Sequence, residues 1–237
     1  MIQLKNLSVK LAGKEVLKDI NLEIKSFLTT IILGQSGSGK STLLRALVGL
    51  IQPDQGEIWQ DGEKLDYASL SSYRHSLGYV IQDGGLFPHL SALENITLMA
   101  QYLGWDWSHI EKRLDFLSEL FQVESTLLKQ YPSELSGGQK QKVSLMRALM
   151  LEPIRLMMDE PFSALDQPTR RELRTNLKKI FTELKLTVVM VTHDVTEAKF
   201  LAEEIVLLHN GQITHQGKME DLNLTEDDYF SEEFSHG

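Results

Sequence analysis

The chain has 237 residues, of which 42% are hydrophobic and 24% charged, the composition of an ordinary globular protein and not of a collagen, a coiled-coil rod or a disordered chain. It contains no cysteine, so disulfides, zinc–thiolate sites, iron–sulfur clusters and thiol catalysis are excluded. No apolar run reaches the roughly 20 residues of a membrane span, and the first ten residues lack a signal-peptide core. We therefore expect a chain that does not itself cross a membrane.

The net charge of −9 is concentrated at one end of the chain. Seven acidic residues and no Lys or Arg lie in Met219–Gly237, and the rest of the chain carries only −2. The nearly neutral body gives no support for nucleic-acid binding, which needs a basic surface. We interpret residues 219–237 as a solvated, acidic C-terminal end.

The first part of the chain reads mainly as strands. Near-alternating apolar residues predict strands at Ile2–Leu4 and Val16–Ile24. The short apolar run Leu28–Leu33 is typical of a buried parallel strand. A helix is predicted over Thr42–Val48, and Asp61-Gly62 indicates a turn between two further short strands.

The rest of the chain alternates between helices and strands. After a strand at Gly78–Ile81, the pattern is helical from about residue 84 to 151, with capping-box sequences at Ser91–Glu94 and Ser108–Glu111. Further predicted elements are a strand at Leu156–Met158, a helix after Asp166, a strand at Thr187–Val191 and a hairpin at Asn210-Gly211. This alternation predicts an α/β domain with a parallel sheet, interrupted by one helical block.

A phosphate-binding loop is indicated by Gly34–Ser41, which fits G-x-x-x-x-G-K-[ST] between a buried strand and a helix. Gly37 and Gly39 let successive backbone N–H groups point inward as an anion nest, and the helix N-terminus adds positive charge. Lys40 supplies a charge for the β- and γ-phosphates, and the Ser41 hydroxyl is a candidate Mg²⁺ ligand. The candidate binding residues are Gly34, Gln35, Ser36, Gly37, Ser38, Gly39, Lys40, Ser41 and Thr42.

Two carboxylates, Asp159 and Glu160, close a short apolar strand. The C-terminal edge of a parallel strand is where ligands bind in α/β sheets. Asp159 could hold Mg²⁺, and Glu160 could polarise a water as a general base. The pair alone fits a surface turn equally well, and the phosphate-binding loop upstream favours the site.

A second anion site is indicated by Leu135–Gln139. Ser136 caps a helix, and Gly137 and Gly138 expose its first N–H groups. One nucleotide cannot readily use both anion sites within a single domain. A head-to-tail dimer can, because the second site of each copy then closes over the partner's nucleotide.

Over nearly its whole length the sequence resembles the ATPase subunits of ATP-binding-cassette (ABC) transporters. The matching segments, in the order of the family, are Gly34–Ser41, Gln82 after Gly78–Ile81, Leu135–Gln139, Asp159–Pro161, Ser163–Asp166 and His193. The resemblance implies an α/β P-loop NTPase fold with a RecA-like parallel-sheet core, an N-terminal antiparallel β subdomain and an inserted helical subdomain at about 84–151. It further implies a single ATPase domain over residues 1–233.

The resemblance also implies a role for each matched residue. ATP and Mg²⁺ are the implied ligands, with Lys40, Ser41 and Thr42 on the phosphates. Glu160 is the implied general base, His193 contacts the γ-phosphate, and Gln82 reaches the attacking water and senses the membrane partner. The implied metal ligands are Ser41, Gln82 and Asp159, and the implied contacts made across a dimer are Ser136, Gly137, Gly138, Gln139 and Asp166.

Three positions depart from the family pattern. Leu11 stands near the position where an aromatic residue usually stacks on adenine; the base contact is then looser, or Val16 packs against it. Lys140-Gln141-Lys142 replaces a commoner arginine-containing sequence, and lysine lacks the planar fork. Arg155 stands where the strand is normally apolar, and we expect it to snorkel outward from the strand start.

Importer-type subunits are indicated by Gly84–Leu90 and Asp159–Asp166, while Tyr79–Gly85 and Leu145–Leu149 are most similar to osmoprotectant (glycine betaine, choline, proline) uptake systems. Polar amino-acid uptake is the alternative. The implied partners are a second ATPase subunit (a homodimer or a pair), a separate transmembrane permease and a solute-binding protein, with no nucleic acid. The implied location is the cytoplasmic face of the inner membrane.

Two readings from other classes stay open at this point. One is a soluble ABC-type ATPase that acts on DNA or ribosomes; co-purification with membranes would separate it from a transporter subunit. The other is a P-loop module that binds nucleotide without hydrolysis. Glu160 and His193 argue against this module, and an ATP-hydrolysis assay would decide.

Overall fold

The computed structural model describes residues 1–221, so most of the predicted acidic end at 219–237 lies outside the described residues. The strands are β1 (Ile2–Leu11), β2 (Lys14–Ile24), β3 (Thr29–Leu33), β4 (Gln55–Gln60), β5 (Glu63–Lys64), β6 (Leu77–Val80), β7 (Arg155–Asp159), β8 (Thr187–Thr192), β9 (Glu204–His209) and β10 (Gln212–Lys218). The α-helices are α1 (Lys40–Leu47), α2 (Ser71–His75), α3 (Ala92–Tyr102), α4 (Trp107–Phe121), α5 (Gly137–Leu149), α6 (Gln167–Glu183) and α7 (Val195–Leu201). The chain divides into two compact units: Met1–Leu70 with the chain from Thr187 onwards, and Ser71–Leu186.

The first unit contains the predicted N-terminal antiparallel sheet, in the order β2-β1-β4-β5. β1 pairs with both β2 and β4, and along the second half of β2 the buried apolar residues Ile20, Leu22 and Ile24 alternate with exposed polar residues. The predicted turn at Asp61-Gly62 joins β4 to β5 with both residues at positive φ, 50° and 89°. Asn and Asp tolerate this conformation and Gly adopts it freely, which is why the pair marks the turn.

The first unit also contains parallel strands. β3 pairs in parallel with β8 on one side and with β9 on the other, and every residue of β3 and β8 is buried. This burial on both faces explains the continuous apolar sequence of both strands. β10 returns antiparallel to β9 through Asn210-Gly211, with φ of 47° and 78°, so the predicted hairpin is confirmed.

In the second unit β6 pairs in parallel with β7, and α3 and α4 pack against α5. The helices α3, α4 and α5 all fall within the predicted helical block. The capping box at Ser91–Glu94 is confirmed: the Ser91 hydroxyl accepts from the Glu94 N–H, and the Glu94 carboxylate accepts from the Ser91 N–H. Within residues 1–221 no helix is long and apolar enough to span a bilayer.

Two local expectations are wrong. Helix α4 does not begin with a capping box at Ser108: its N-cap is Asp106, whose carbonyl accepts from His109 and Ile110. Asp is itself a favoured N-cap residue, and the ring of Trp105 stacks on that of His109 at 4.2 Å inside the first turn. Arg155 does begin β7, but it is only 3% exposed and does not snorkel outward, because β7 is buried along its whole length.

Candidate functional site

The loop between β3 and α1 has the curvature that the glycine spacing predicts. Gly37 and Gly39 have φ of +82° and +108°, and Gly39 is the N-cap of α1 without any side-chain cap. A Cβ on Gly39 would approach Leu17 Cδ2 to 2.9 Å, and a Cβ on Gly34 would collide with the Leu208 carbonyl. Only glycine satisfies both the backbone angles and the close packing here.

Lys40 is enclosed by this loop and is only 4% exposed. Its Nζ donates to the carbonyls of Gly34 at 2.8 Å and Gln35 at 2.9 Å. The buried Ser38 hydroxyl has no hydrogen-bond partner within the described part of the chain. The loop thus combines an enclosed cation, a hydroxyl without a hydrogen-bond partner among the described residues, and a helix N-terminus without a side-chain cap. We call this loop the cradle, and its chemistry fits a polyphosphate.

The β1–β2 hairpin adjoins this cradle. The Val16 carbonyl lies 3.1 Å from where a Cβ of Gly39 would stand, and the Lys18 N–H donates to the Gly211 carbonyl at 2.8 Å. Leu11, at the end of β1, is 40% exposed. No aromatic residue occurs between Leu11 and Val16, so an aliphatic side chain is what the hairpin offers to a base.

His193 follows β8 in the same unit, in a turn fixed by a polar network. The Thr192 hydroxyl donates to the buried Glu197 carboxylate at 2.6 Å, and the Asp194 N–H donates to the Thr192 hydroxyl at 3.1 Å. Asp194 Oδ1 caps α7 by accepting from the N–H groups of Thr196 and Glu197. Sequence analysis missed Thr192 and Glu197, although Asp194 three residues before Glu197 has the spacing of a helix start.

The two carboxylates lie in the second unit, at the end of β7. Asp159 is the last residue of the strand and is buried. Glu160 is half-buried and has φ of +42°, in the left-handed region that non-glycine residues rarely adopt. Its carbonyl accepts from the Ser163 N–H at 3.2 Å and the Ser163 hydroxyl at 3.0 Å, which holds this strained backbone in place.

The second predicted anion site, in the second unit, is the N-terminus of α5. The Ser136 hydroxyl accepts from the Gln139 N–H at 3.3 Å, and Gln139 Oε1 accepts from the Ser136 N–H at 2.8 Å. Ser136 and Gly137 are exposed, so the capped helix end faces away from the core. Asp166 caps α6, and its hydrogen bonds with Thr169 hold the pKa of the Asp166 carboxyl below its usual range.

Gln82 begins the segment Gln82–Leu90, which we call the Gln82 loop. Gln82 is exposed, and buried Asn95 of α3 braces the loop: its side chain accepts from the Phe87 N–H and donates to the Phe87 and Leu90 carbonyls. Phe87 itself is 44% exposed, so it is not a core residue. Sequence analysis missed Asn95, which gives no signal beyond its place in a helix.

The predicted residues are thus distributed over the two units. The first unit contains Gly34–Thr42, Leu11, Val16 and His193. The second unit carries Gln82, Asp159, Glu160, Leu135–Gln139 and Asp166. Each unit contributes one helix N-terminus with glycine at its start, α1 in the first unit and α5 in the second.

Comparison with known proteins gives a consistent result. The ABC transporter family model matches residues 17–163. The probable sulfate/thiosulfate import ATP-binding protein CysA of Chlorella vulgaris is 43% identical over 94% of this chain and 93% of its own length. The glycine betaine uptake system ATP-binding protein YehX of Escherichia coli (strain K12) is 41% identical over 92% of this chain and 70% of its own length.

The fold matches solved structures as well. A dimeric ATP-binding cassette, MJ0796, in a post-hydrolysis state bound to ADP and Pi, superposes with a TM-score of 0.82 at 36% identity. The match covers 92% of this chain and 99% of MJ0796.

Proposed function

Because the chain belongs to the ABC transporter family, as an ATP-hydrolysing subunit of importer type, we propose that two copies bind two ATP molecules head to tail and power a separate transmembrane permease. The observation that carries this proposal is the presence on one chain of two glycine-containing helix N-termini, at α1 and at α5, each of which leaves backbone N–H groups for an anion. In this proposal the cradle holds ATP, and the exposed α5 end closes over the partner's γ-phosphate.

In the first unit, Gly34–Thr42 hold the triphosphate. The N–H groups at the start of α1 and the Lys40 ammonium neutralise its charge, which is the main protein contribution in phosphoryl transfer. His193, whose turn is fixed by Asp194 and Glu197, donates a hydrogen bond to the γ-phosphate. Leu11 and Val16 cover the base without stacking on it.

In the second unit, Glu160 holds and accepts a proton from the attacking water, and Gln82 orients that water. The metal ligands in this proposal are Ser41, Gln82 and Asp159. The donor set fits Mg²⁺ because its hydroxyl, carboxamide and carboxylate groups offer the hard oxygen ligands that magnesium prefers, and magnesium is commonly held by one or two carboxylates together with substrate phosphates. When bound, Mg²⁺ supplies Lewis-acid stabilisation of phosphate charge.

Replacing Glu160 with Gln tests the chemistry. The substitution removes the base and keeps the shape, so we expect ATP binding to persist while turnover falls by about 10²–10⁴-fold. Phosphate release measured at saturating MgATP gives the rate, and a nucleotide-binding titration confirms the site. Hydrolysis close to that of the unmodified protein would show that Glu160 is not the base.

The same variant tests the assembly. Glu160→Gln protein should form a dimer with MgATP and remain monomeric with MgADP, since only ATP offers a γ-phosphate to the Ser136–Gly138 end of the other copy. Light scattering at matched protein concentration measures this. A mass that does not change when ATP replaces ADP contradicts the head-to-tail arrangement.

The permease contact is proposed at the Gln82 loop. Phe87 is an exposed aromatic side chain on a loop that begins at Gln82, so a cytoplasmic helix of the permease can dock on it and be moved with it. Because the docking helix belongs to a membrane-embedded permease, the subunit would associate with the cytoplasmic face of the inner membrane. A solute-binding protein would deliver the solute on the other side.

Phe87→Glu tests the docking surface. We expect transport to be uncoupled from hydrolysis with ATP affinity unchanged, because a charge on this surface disfavours an apolar partner. Leu50→Glu, which changes an apolar side chain of the first unit that is somewhat more exposed than Phe87, is the matched control and should leave transport intact. Loss of folding or of ATP affinity in Phe87→Glu would place Phe87 in a structural role instead.

For the solute, we propose an osmoprotectant such as a quaternary amine, supported by the Tyr79–Gly85 and Leu145–Leu149 sequences and by the similarity to YehX. Sulfate or thiosulfate is a second candidate, because the similarity to CysA is equally strong. Uptake of labelled glycine betaine, sulfate and a polar amino acid in cells with and without this subunit separates the candidates.

A further inference from the structure

The Gln82 loop is bound to helix α5 by hydrogen bonds that no sequence motif indicated. The Arg147 guanidinium donates to two consecutive carbonyls, from Nη2 to Gly84 at 2.7 Å and from Nη1 to Gly85 at 2.8 Å. The Ser144 hydroxyl, one turn earlier in α5, also donates to the Gly84 carbonyl, at 2.8 Å. Three donors of one helix therefore hold two adjacent peptide groups of the loop.

Among residues 1–221, the hydrogen bonds of the Arg147 guanidinium are to this loop. No carboxylate forms an ion pair with it among residues 1–221, and burial lowers the pKa of its guanidinium. Its ring contact is with Phe87, whose centroid lies 6.0 Å from the guanidinium carbon. Charge-assisted hydrogen bonds are about twice as strong as neutral ones, and only the planar fork of arginine can reach two acceptors at once.

The Gly84-Gly85 segment, which these hydrogen bonds hold, has an unusual backbone conformation. Gly84 and Gly85 have φ of +69° and +57°, and a Cβ on Gly85 would collide with the Ile81 side chain. The Gly84 N–H donates to the Ile81 carbonyl at 2.9 Å, which forms a tight turn around Gln82. The position of Gln82 is therefore set by the two peptide groups that Arg147 holds.

The buried side chain of Gln141, also in α5, lies beside Gly84 of the same loop. Gln141 is 5% exposed, its Oε1 lies 3.8 Å from where a Cβ of Gly84 would stand, and its Nε2 has no hydrogen-bond partner among the described residues. A buried donor without a partner is costly. The Gln141 amide therefore lies beside the loop with a donor that a carbonyl of the loop could satisfy.

We propose that Arg147 is a positioning residue that makes the Gln82 loop follow helix α5, so that phosphate binding at the Ser136 end of α5 sets the position of Gln82. The inference rests on the proposed function, because it needs a phosphate at that helix end. Helix α5 runs without a break from Gly137 to Leu149 and carries both contacts. In this proposal one helix links two sites of the dimer: its Ser136 end contacts the nucleotide held by the partner copy, and its Arg147 positions Gln82 beside the nucleotide held by the same copy.

Hydrogen exchange of two amides tests the contact without nucleotide. The Gly84 and Phe87 N–H groups are both hydrogen-bonded, so both report opening of the loop. In Arg147→Lys protein, which can reach one carbonyl at most, we expect exchange at these amides to be about tenfold faster. Ser144→Ala, a milder change, should shift the same amides in the same direction by a smaller factor.

Arg113→Lys is the matched control. Arg113 is also partly buried, its pKa is also lowered by burial, and its Nη2 donates to the Leu149 carbonyl at the end of α5; in the described part of the chain it has no hydrogen bond to the Gln82 loop. It should leave exchange at Gly84 and Phe87 unchanged. Equal acceleration in both arginine variants, or none in Arg147→Lys and Ser144→Ala, overturns the inference.

The link to phosphate binding is tested in the Glu160→Gln background with MgATP. We expect ATP to slow exchange at Gly84, and the additional Arg147→Lys change to remove most of that slowing while the ATP-bound dimer persists. Slowing of the same size in both proteins overturns the link. A Glu160→Gln parent that fails to dimerise counts against the proposed function instead, and the nucleotide-free comparison still decides the role of Arg147.

Discussion

The helix starts of α1 and α5 both follow glycine-rich sequences, but they differ in how their backbone donors are satisfied. Helix α1 has a glycine N-cap in the left-handed conformation and no side-chain cap. Helix α5 has a complete capping box, in which Ser136 and Gln139 satisfy each other's N–H groups. The α1 start thus leaves its first-turn donors for a ligand, while the α5 start offers chiefly those of Gly137 and Gly138.

The two regions differ in charge as well. Lys40 places a buried ammonium inside the α1 cradle, whereas Leu135–Gln139 contains no basic residue. A polyphosphate carries several negative charges, and the α1 cradle can neutralise them alone. The α5 end has the helix dipole, a few donors and a partly buried lysine, Lys140, at its fourth position, but no enclosed cation, so it suits one phosphate that another site already holds. This difference is the physical basis for assigning α1 to the primary site and α5 to a contact made across a dimer.

The largest effect should come from Lys40→Ala. Removing a buried cation that makes charge-assisted bonds to phosphate should weaken ATP binding by on the order of 10²-fold or more, since each such bond contributes about 1.5–3 kcal/mol. Titration with a fluorescent ATP analogue measures the affinity of the single chain. Lys142→Ala, which changes a partly buried lysine of α5 paired with Glu172, should bind ATP normally. Equal losses in both variants would erase the distinction between the two helix ends.

Gly138→Ala should have an effect of intermediate size, and it should fall on dimerisation and not on ATP binding. We expect ATP binding by the single chain to stay within about twofold and ATP-driven dimerisation to weaken by about tenfold, because the methyl group crowds a donor of α5. The comparison is made in Glu160→Gln protein by light scattering across a concentration series.

The added methyl group would also stand 2.5 Å from Thr169 Cγ2. The double change Gly138→Ala with Thr169→Ser removes that collision and serves as the control. If the double variant dimerises normally, the loss arose from packing between α5 and α6, and the phosphate contact at Gly138 would be contradicted.

The smallest effect should come from Leu11→Tyr, which gives the hairpin beside the α1 cradle an aromatic ring. Base stacking on an aromatic side chain contributes about 1–3 kcal/mol, so ATP should bind at least about fivefold more tightly. GTP should gain similarly, because stacking tolerates every base. Leu50→Tyr, at another exposed leucine, should change neither affinity. An unchanged affinity in Leu11→Tyr would mean that the base does not lie on this hairpin.

The sequence by itself determined the features that depend on neighbouring residues. The α1 cradle, the Ser136 cap, the Asn210-Gly211 hairpin and the buried strands β3, β7 and β8 follow from local rules. Glycine permits positive φ, short polar side chains cap helices, and continuous apolar runs fill parallel strands. Each of these signals lies within a few residues of the structure that it predicts, so no knowledge of distant contacts was needed.

Only the tertiary structure decided the features that join distant parts of the chain. Arg147 and Gly85 are 62 residues apart in sequence, and nothing in either segment predicts their hydrogen bond. The burial of Arg155 likewise depends on the surrounding packing. Such features depend on which surfaces meet after folding, and hydrophobic periodicity carries no information about that pairing.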